Sequence, residues 1–277
     1  MSVKKLVIIF SIVLMGAAPS FLFGEERLEN EIKLSVPIEI HDEVLAYMLD
    51  NFVDERFVFE DFRLDGEYVV EQFIDSYYDS SKFDVLDDDN GIRYQRRFAD
   101  GEMSSHIVQV KVAGEDTVAK EFKFEIDDGV FDDRSPALDD LIVDAVGFSD
   151  LMLELSYDEN KLRPALELAQ IRDRVLLGVD DEPRVTLTLD SVYSKKWWID
   201  RQFVELELEL NEVYYTAADE VERARLVRLI ESIEDEITSE FEEIVPNQRP
   251  KYSQMYEKLN VFPLSWFWRP FRWLGLM

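Results

Sequence analysis

A chain of 277 residues with 47% hydrophobic side chains has enough apolar material for a sizeable core, which excludes wholesale disorder. Sixty acids against thirty bases give a net charge of −30, which excludes nucleic acid or an anionic membrane as partner for the surface as a whole, though not a local basic cavity. Cysteine is absent, so neither a disulfide framework nor a thiolate metal site can form.

The first element is an apolar leader. Lys4 and Lys5 precede "LVIIFSIVLMGAAPSFLF", and residues 1–24 read as an export signal. Leu22 and Gly24 depart from the A-x-A cleavage pattern, so an uncleaved anchor is the alternative. Either way, the positive-inside rule sends the rest of the chain out of the cytoplasm, to the periplasm or another extracytoplasmic space.

Next comes "LENEIKLSVP" (28–37). In an extended strand successive side chains point to opposite faces, so Glu29, Glu31 and Lys33 share one face while Leu28, Ile32 and Leu34 lie on the other. "HDEVLAYMLDNF" (41–52) then places Val44, Leu45, Met48, Leu49 and Phe52 at helical intervals, with Asp42 as cap. "LDDDNG" reads as a solvated turn; a calcium loop with Gly91 at its sixth position would need acids where Leu86 and Arg97 stand.

Period-two segments dominate from there. "GIRYQRRF" sets Arg93, Gln95 and Arg97 against Ile92, Tyr94 and Phe98, and "IVQVKVAG" sets Gln109 and Lys111 against three valines. "KEFKFEI" opposes Glu121, Lys123 and Glu125 to Phe122, Phe124 and Ile126. "SPALDDLIVDAVGF" is expected to be a helix opened by Ser135 and Pro136 and ended by Gly147. "LAQIRDRVLL" aligns Gln170, Arg172 and Arg174; "RVTLTLD" aligns Arg184, Thr186, Thr188 and Asp190; "VELELELN" aligns Glu205, Glu207 and Glu209. These are strand signals. A long amphipathic helix is expected over 216–241.

Taken singly, each strand is satisfied by an antiparallel sheet with one wet face. Six strands whose polar faces carry Glu, Lys, Arg and Gln, together with three amphipathic helices, instead suggest a barrel turned inside out. The fold class expected is α+β: an antiparallel β-barrel with a polar interior and helices packed outside. Such a cavity suits a polyanion, with bases holding phosphates and clustered acids holding a metal.

Glu29-x-Glu31-x-Lys33 resembles the ExExK signature of the CYTH superfamily, the triphosphate tunnel metalloenzymes. The likeness continues in order through residues 27–260. "YYDSSKFDVLDDDNGIRYQRR" is similar to a Tyr-Tyr-Asp-Thr segment running into an Arg-x-Arg strand, and "VQVKVAG" to a lysine strand. "KEFKFEI" resembles an Arg/Lys-x-Glu-x-Glu stretch, "LRPALELAQIRDR" a paired-arginine strand, and "RVTLTLDSV" a strand ending in aspartate. "FVELELEL" resembles an ExExE strand and "RPKYSQMYEKL" the terminal Ser-Lys-Tyr helix. Gln95 stands where the family has an arginine, Arg93 lying two residues earlier on the same face; Ser80 replaces a threonine, and the terminal glycine is missing.

The resemblance implies an eight-stranded tunnel that hydrolyses linear triphosphates with Mg²⁺ or Mn²⁺. It implies metal-ligand roles for Glu29, Glu31, Asp190, Glu205, Glu207 and Glu209, and phosphate contacts from Lys33, Arg93, Arg97, Lys111, Arg172 and Arg174, with Glu29, Glu31 and Lys33 at the catalytic centre. Inorganic tripolyphosphate or polyphosphate is the substrate an exported member would meet. A non-catalytic envelope module that binds a polyanion or a protein is the alternative.

His41 and His106 stand alone, with no metal set or triad around them. Neither a phosphate-binding G-x-x-x-x-G-K-[ST] loop nor a serine-hydrolase motif occurs. "VFPLSWFWRPFRWLGLM" (261–277) combines tryptophans with arginines, which suits either a tail docked on the barrel or a segment at a membrane surface.

Overall fold

Strands with one apolar and one charged face need two different environments, and an antiparallel sheet wound on itself supplies both. The protein is seen here as a computed structural model, which describes residues 25–99, 101–114, 118–126, 138, 141–179, 182–196 and 199–259. The leader (1–24) and the aromatic tail (261–277) lie outside the described residues.

The strands are β1 (Glu25–Val36), β2 (Phe57–Phe59), β3 (Phe62–Asp79), β4 (Gly91–Ala99), β5 (Glu102–Val112), β6 (Val118–Phe124), β7 (Arg163–Val179), β8 (Glu182–Lys196), β9 (Ile199–Leu210) and β10 (Val245–Pro246). They form one antiparallel sheet in the order β10-β1-β6-β5-β4-β3-β7-β8-β9, with β2 on β3. β1 pairs with β6 from Glu25 to Asn30 and with β9 from Glu31 to Val36. The eight long strands therefore follow one another in a circuit, but no residue of β1 bridges β6 and β9 at once. The expected eight-stranded barrel is thus corrected: the sheet has ten strands and is not closed at any one level. Alternation runs unbroken through the half of β1 that pairs with β9. Hence Glu31 and Lys33 face the same side as their partners Glu209 and Glu207, while Ile32 and Leu34 join Leu208 and Leu206 on the other.

The helices are α1 (His41–Leu49), α2 (Asp84–Asp87), α3 (Ala145–Glu154), α4 (Glu212–Ala217), α5 (Glu220–Glu240) and α6 (Lys251–Leu259). α1 and α5 cover the apolar faces of β1, β7, β8 and β9 in the largest cluster, where Val44, Met48, Leu206, Leu208, Leu229 and Ile233 are all inaccessible. α3 does the same over β4, β5 and β6 through Phe148, Leu151 and Met152. α6 behaves differently. Tyr252 and Met255 pack against Tyr77, Leu166, Leu168, Val192 and Phe203. By strand alternation Leu168, Val192 and Phe203 lie on the same inner face as Gln170, Asp190 and Glu205, so α6 wedges an apolar side against β3, β7, β8 and β9 at one end of the tunnel, while its first residue, Lys251, lines the cavity. Tyr252 stacks on Tyr77 with ring centroids 4.9 Å apart, and burying each such side chain stabilises by about 1.5–3 kcal/mol.

Helix limits differ from the sequence expectation in three places. Ile40, not Asp42, precedes α1, and no side chain caps it; the chain continues past Leu49 as a wider π turn over Asp50–Asp54. α3 starts at Ala145, where the Asp144 carboxylate accepts from the Gly147 amide at 3.0 Å, so Gly147 lies in the first turn rather than at the end. Ser135 and Pro136 lie outside the described residues. The helix expected over 216–241 is two, because Asp219 accepts from the Glu222 amide at 2.9 Å and starts α5 afresh. Among the described residues no helix is long and apolar enough to cross a membrane.

Gly66 on β3 lets the π turn lie directly on the strand: a Cβ there would stand 1.8 Å from the Phe52 carbonyl oxygen. Backbone cannot yield as a flexible side chain can. Gly66→Ala is expected to destabilise by at least about 2 kcal/mol, read as a lower urea midpoint; an unchanged midpoint would refute the close approach.

Candidate active site

The inner strand faces converge on a cavity of about 390 Å³. Its wall carries six cations, Lys33, Arg93, Lys111, Arg172, Arg249 and Lys251, against four acids, Glu31, Asp89, Glu207 and Glu209. In a chain with a net charge of −30 this is a local inversion of sign. Lys251 opens α6, so the positive end of that helix also faces the cavity.

Acids beneath the wall fix the cations. Arg172 makes a bidentate pair with Asp190, Nε to Oδ1 at 2.7 Å and Nη2 to Oδ2 at 2.6 Å, and Nη2 also reaches Glu207 at 3.1 Å. Arg93 donates to Asp75 at 3.0 Å and to Gln109 at 2.6 Å, and Gln170 donates to the same Asp75 oxygen at 2.5 Å. Burial opposes the Arg93 charge, but Asp75 and Glu121 outweigh it and hold the guanidinium above its ordinary value. Lys111 and Lys33 meet Glu31 at 2.5 and 2.9 Å. Charge-assisted pairs of this kind are short and directional, so the cations are preorganised.

Lys251 holds the most crowded position. Its Nζ lies 2.7 Å from Glu207, 2.8 Å from Asp190 and 3.1 Å from Glu205. Burial opposes its charge, yet these three carboxylates raise it well above the ordinary lysine value. Burial would likewise raise Glu207, but Lys251, Lys33 and Arg172 keep it well below the usual carboxylate range. Glu205 goes the other way. It is fully buried, and that burial pushes it up to about 7; Lys251 works against the rise and Glu207 adds to it.

A carboxyl whose native pKa lies above its ordinary 4.5 destabilises the fold once it must ionise. Its contribution falls as pH rises from the ordinary value through about 7 and then levels off. Glu205→Gln removes that slope. The variant is expected to exceed wild type in stability near about pH 8 by on the order of 1–3 kcal/mol, with the gap shrinking towards about pH 5. Urea titrations at the two pH values check it; a gap that grows on acidification would contradict the sign.

The structure brings Glu31, Lys33, Arg93, Lys111, Arg172, Glu207 and Glu209 to one cavity. Asp190 and Glu205 lie behind its wall, with no exposure, engaged by Arg172, Lys251 and Gln254. Arg97 and Arg174 stand apart from the cavity and share Glu71 at 3.2 and 2.9 Å. Glu29 lies on β1 opposite Ala119, its side chain being outside the described set. Sequence reasoning missed Lys251, Arg249, Asp75 and Phe73. For Lys251 a signal existed: Pro250 followed by "KYSQM" is a helix start in which five consecutive residues turn out to be buried, and a lysine among them needs carboxylate partners.

Among the described residues no three acids or histidines form a ready-made metal-holding group. Asp190 and Glu205 are committed to protein cations, whereas Glu31, Glu207 and Glu209 line the cavity and offer the hard oxygen donors that Mg²⁺ or Mn²⁺ takes.

No family model and no curated protein matches the sequence. Similar solved structures include a Bacillus halodurans protein provisionally named an adenylate cyclase, at 13% identity over 83% of this chain and 98% of that one, with a TM-score of 0.48. A Hippeastrum protein, provisionally an adenylyl cyclase and described by a dominant triphosphatase activity, shares 13% identity over 85% and 98% with a TM-score of 0.46. An S. pombe RNA triphosphatase shares 14% over 76% and 81%, with a TM-score of 0.41.

Proposed function

We propose that this chain is a metal-dependent hydrolase of a linear triphosphate, with inorganic tripolyphosphate or polyphosphate the foremost substrate. One observation carries the reading: six cations converge on a single cavity of a strongly acidic chain. Arg93 and Arg172, held by Asp75 and Asp190, present fixed guanidinium groups to phosphate oxygens; Lys33, Lys111, Arg249 and Lys251 add charge around them. Positioning and neutralisation of phosphate charge account for most of phosphoryl-transfer catalysis. Glu31, Glu207 and Glu209, with Glu29 added by the CYTH resemblance, would hold Mg²⁺ or Mn²⁺, which supplies further positive charge to the phosphates when bound.

The leader of residues 1–24 supports an extracytoplasmic location, where inorganic polyphosphate is a less strained substrate than a nucleotide. A reporter fused after Asn30 should be active only outside the cytoplasm; cytoplasmic activity alone would return nucleotides to the front. The net charge speaks against nucleic acid as a ligand of the outer surface.

A second reading, a module that binds a polyanion without turning it over, is favoured by Lys251, which already occupies the centre of the acid cluster. The test is phosphate release from tripolyphosphate, ATP and long-chain polyphosphate with Mg²⁺ or Mn²⁺, alongside calorimetric binding of tripolyphosphate in EDTA. Release supports the hydrolase. Binding without release under either metal leaves the module, and absence of both binding and release refutes both.

A further inference from the structure

The inner face of β3 carries Glu71, Phe73, Asp75 and Tyr77. Phe73 is the odd member. It is 4% exposed, yet its cross-strand partners are Arg97 on β4 and Gln170 on β7, and it belongs to none of the three apolar clusters of the described residues. Two guanidinium groups clamp it instead: Arg97 lies 5.1 Å and Arg172 5.3 Å from the ring centroid. These cations belong to different compartments. Arg172 lines the cavity; Arg97, with Arg174 and their shared Glu71, does not. Arg97 keeps 42% of its side chain exposed, so the far cluster meets solvent. The cavity has its own entrance, where Asp89, Ala113 and Gly114 are exposed.

We propose that Phe73 is a specificity-determining partition that makes the tunnel a dead-end pocket, so that a linear polyphosphate enters by its terminus and does not thread through. This rests on the polyanion-binding reading above. A chain entering past Asp89 meets Lys111, Lys33, Arg93 and Arg172 and stops at the ring. To reach Arg97 and Arg174 it would have to push charged phosphate past a phenyl group that returns no hydrogen bond, which is costly for a desolvated anion. The cation clamps hold the ring across the passage.

The experiment uses the full chain in EDTA, so that turnover does not interfere, and titrates it with tripolyphosphate and with long-chain polyphosphates of several lengths. A wild-type protein that binds only termini saturates at a fixed number of proteins per chain, set by its two ends and independent of length. Phe73→Ala joins the compartments. The ratio of long-chain to tripolyphosphate affinity is expected to rise by at least about tenfold, as two further guanidinium groups come within reach, and proteins bound per chain then increase with length. Phe73→Leu, which keeps an apolar obstruction, should retain the wild-type ratio. Wild-type stoichiometry that grows with chain length overturns the proposal without any variant, and so does an unchanged ratio in a folded Phe73→Ala protein. A wild type that binds tripolyphosphate but violates end-only stoichiometry refutes the partition alone; one that binds no tripolyphosphate refutes the underlying reading and the partition with it.

Discussion

Lys251→Met is expected to destabilise the protein by about 3–5 kcal/mol, the range for removing one partner of a buried ion cluster. Lys251 contacts Asp190, Glu205 and Glu207, all but Glu207 without any measurable exposure. Without it, Asp190 still has Arg172, and Glu207 still has Arg172 and Lys33, but Glu205 is left with Gln254. The loss should therefore depend on Glu205. Adding Glu205→Gln to Lys251→Met is expected to recover at least about 1 kcal/mol beyond the sum of the single effects, as directly contacting groups do in a double-mutant cycle. Denaturant titrations of the four proteins decide it. Additive effects would mean that Lys251 acts through packing of α6 and not through this carboxylate.

Glu31→Gln carries the other large expectation. Glu31 lines the cavity and accepts from both Lys33 and Lys111. If its charge helps to hold a divalent ion, turnover of tripolyphosphate should fall by about two orders of magnitude or more, the scale of losing a group that organises transition-state charge. Metal-free binding should move the opposite way. Neutralising Glu31 releases two lysines from a competing carboxylate, so tripolyphosphate in EDTA should bind as tightly as to wild type or more tightly. Parallel loss of binding and turnover would show that Glu31 merely orders the lysines. Retained turnover would remove it from the catalytic centre.

Much of this was legible in the alternation of a few strands. The period-two spacing of Glu205, Glu207 and Glu209, or of Gln170, Arg172 and Arg174, placed those side chains on one face because strand geometry leaves no other option. The apolar residues between them could only seek cover from α1, α3 and α5. Alternation says nothing about depth along a strand. Asp190 and Glu207 share the inner face, yet one is sealed behind Arg172 and the other reaches the cavity, a difference set by strand stagger. Nor does it reveal partners brought in from elsewhere. Lys251 comes from a separate helix, and the seating of α6 inside the sheet depended on Tyr77, Val192 and Phe203 meeting it. Phe73 and Asp75 lie on β3, a strand whose alternation was not among those the sequence made evident. The division of β1 between two neighbours had no signal, because strand alternation fixes faces and not pairing partners.

That division bears on the order in which the molecule assembles. The hairpins β4–β5, β5–β6, β7–β8 and β8–β9 join strands adjacent in sequence and close small loops, whereas the second half of β1 must wait for β9, with Glu31 opposite Glu209. Loop-closure entropy makes such distant pairing slow. Until it is made, the inward acids of β8 and β9 face one another without Lys33, and they lack Lys251 until α6 arrives later still. Docking of the first and last described elements then adds Lys33 and Lys251 to the Arg172 that β7 already supplies. Refolding should be slow and accelerated by moderate salt, which screens the acids while they wait; because the whole chain carries a net charge of −30, the comparison is with Glu205→Gln, whose refolding should depend less on salt than wild type.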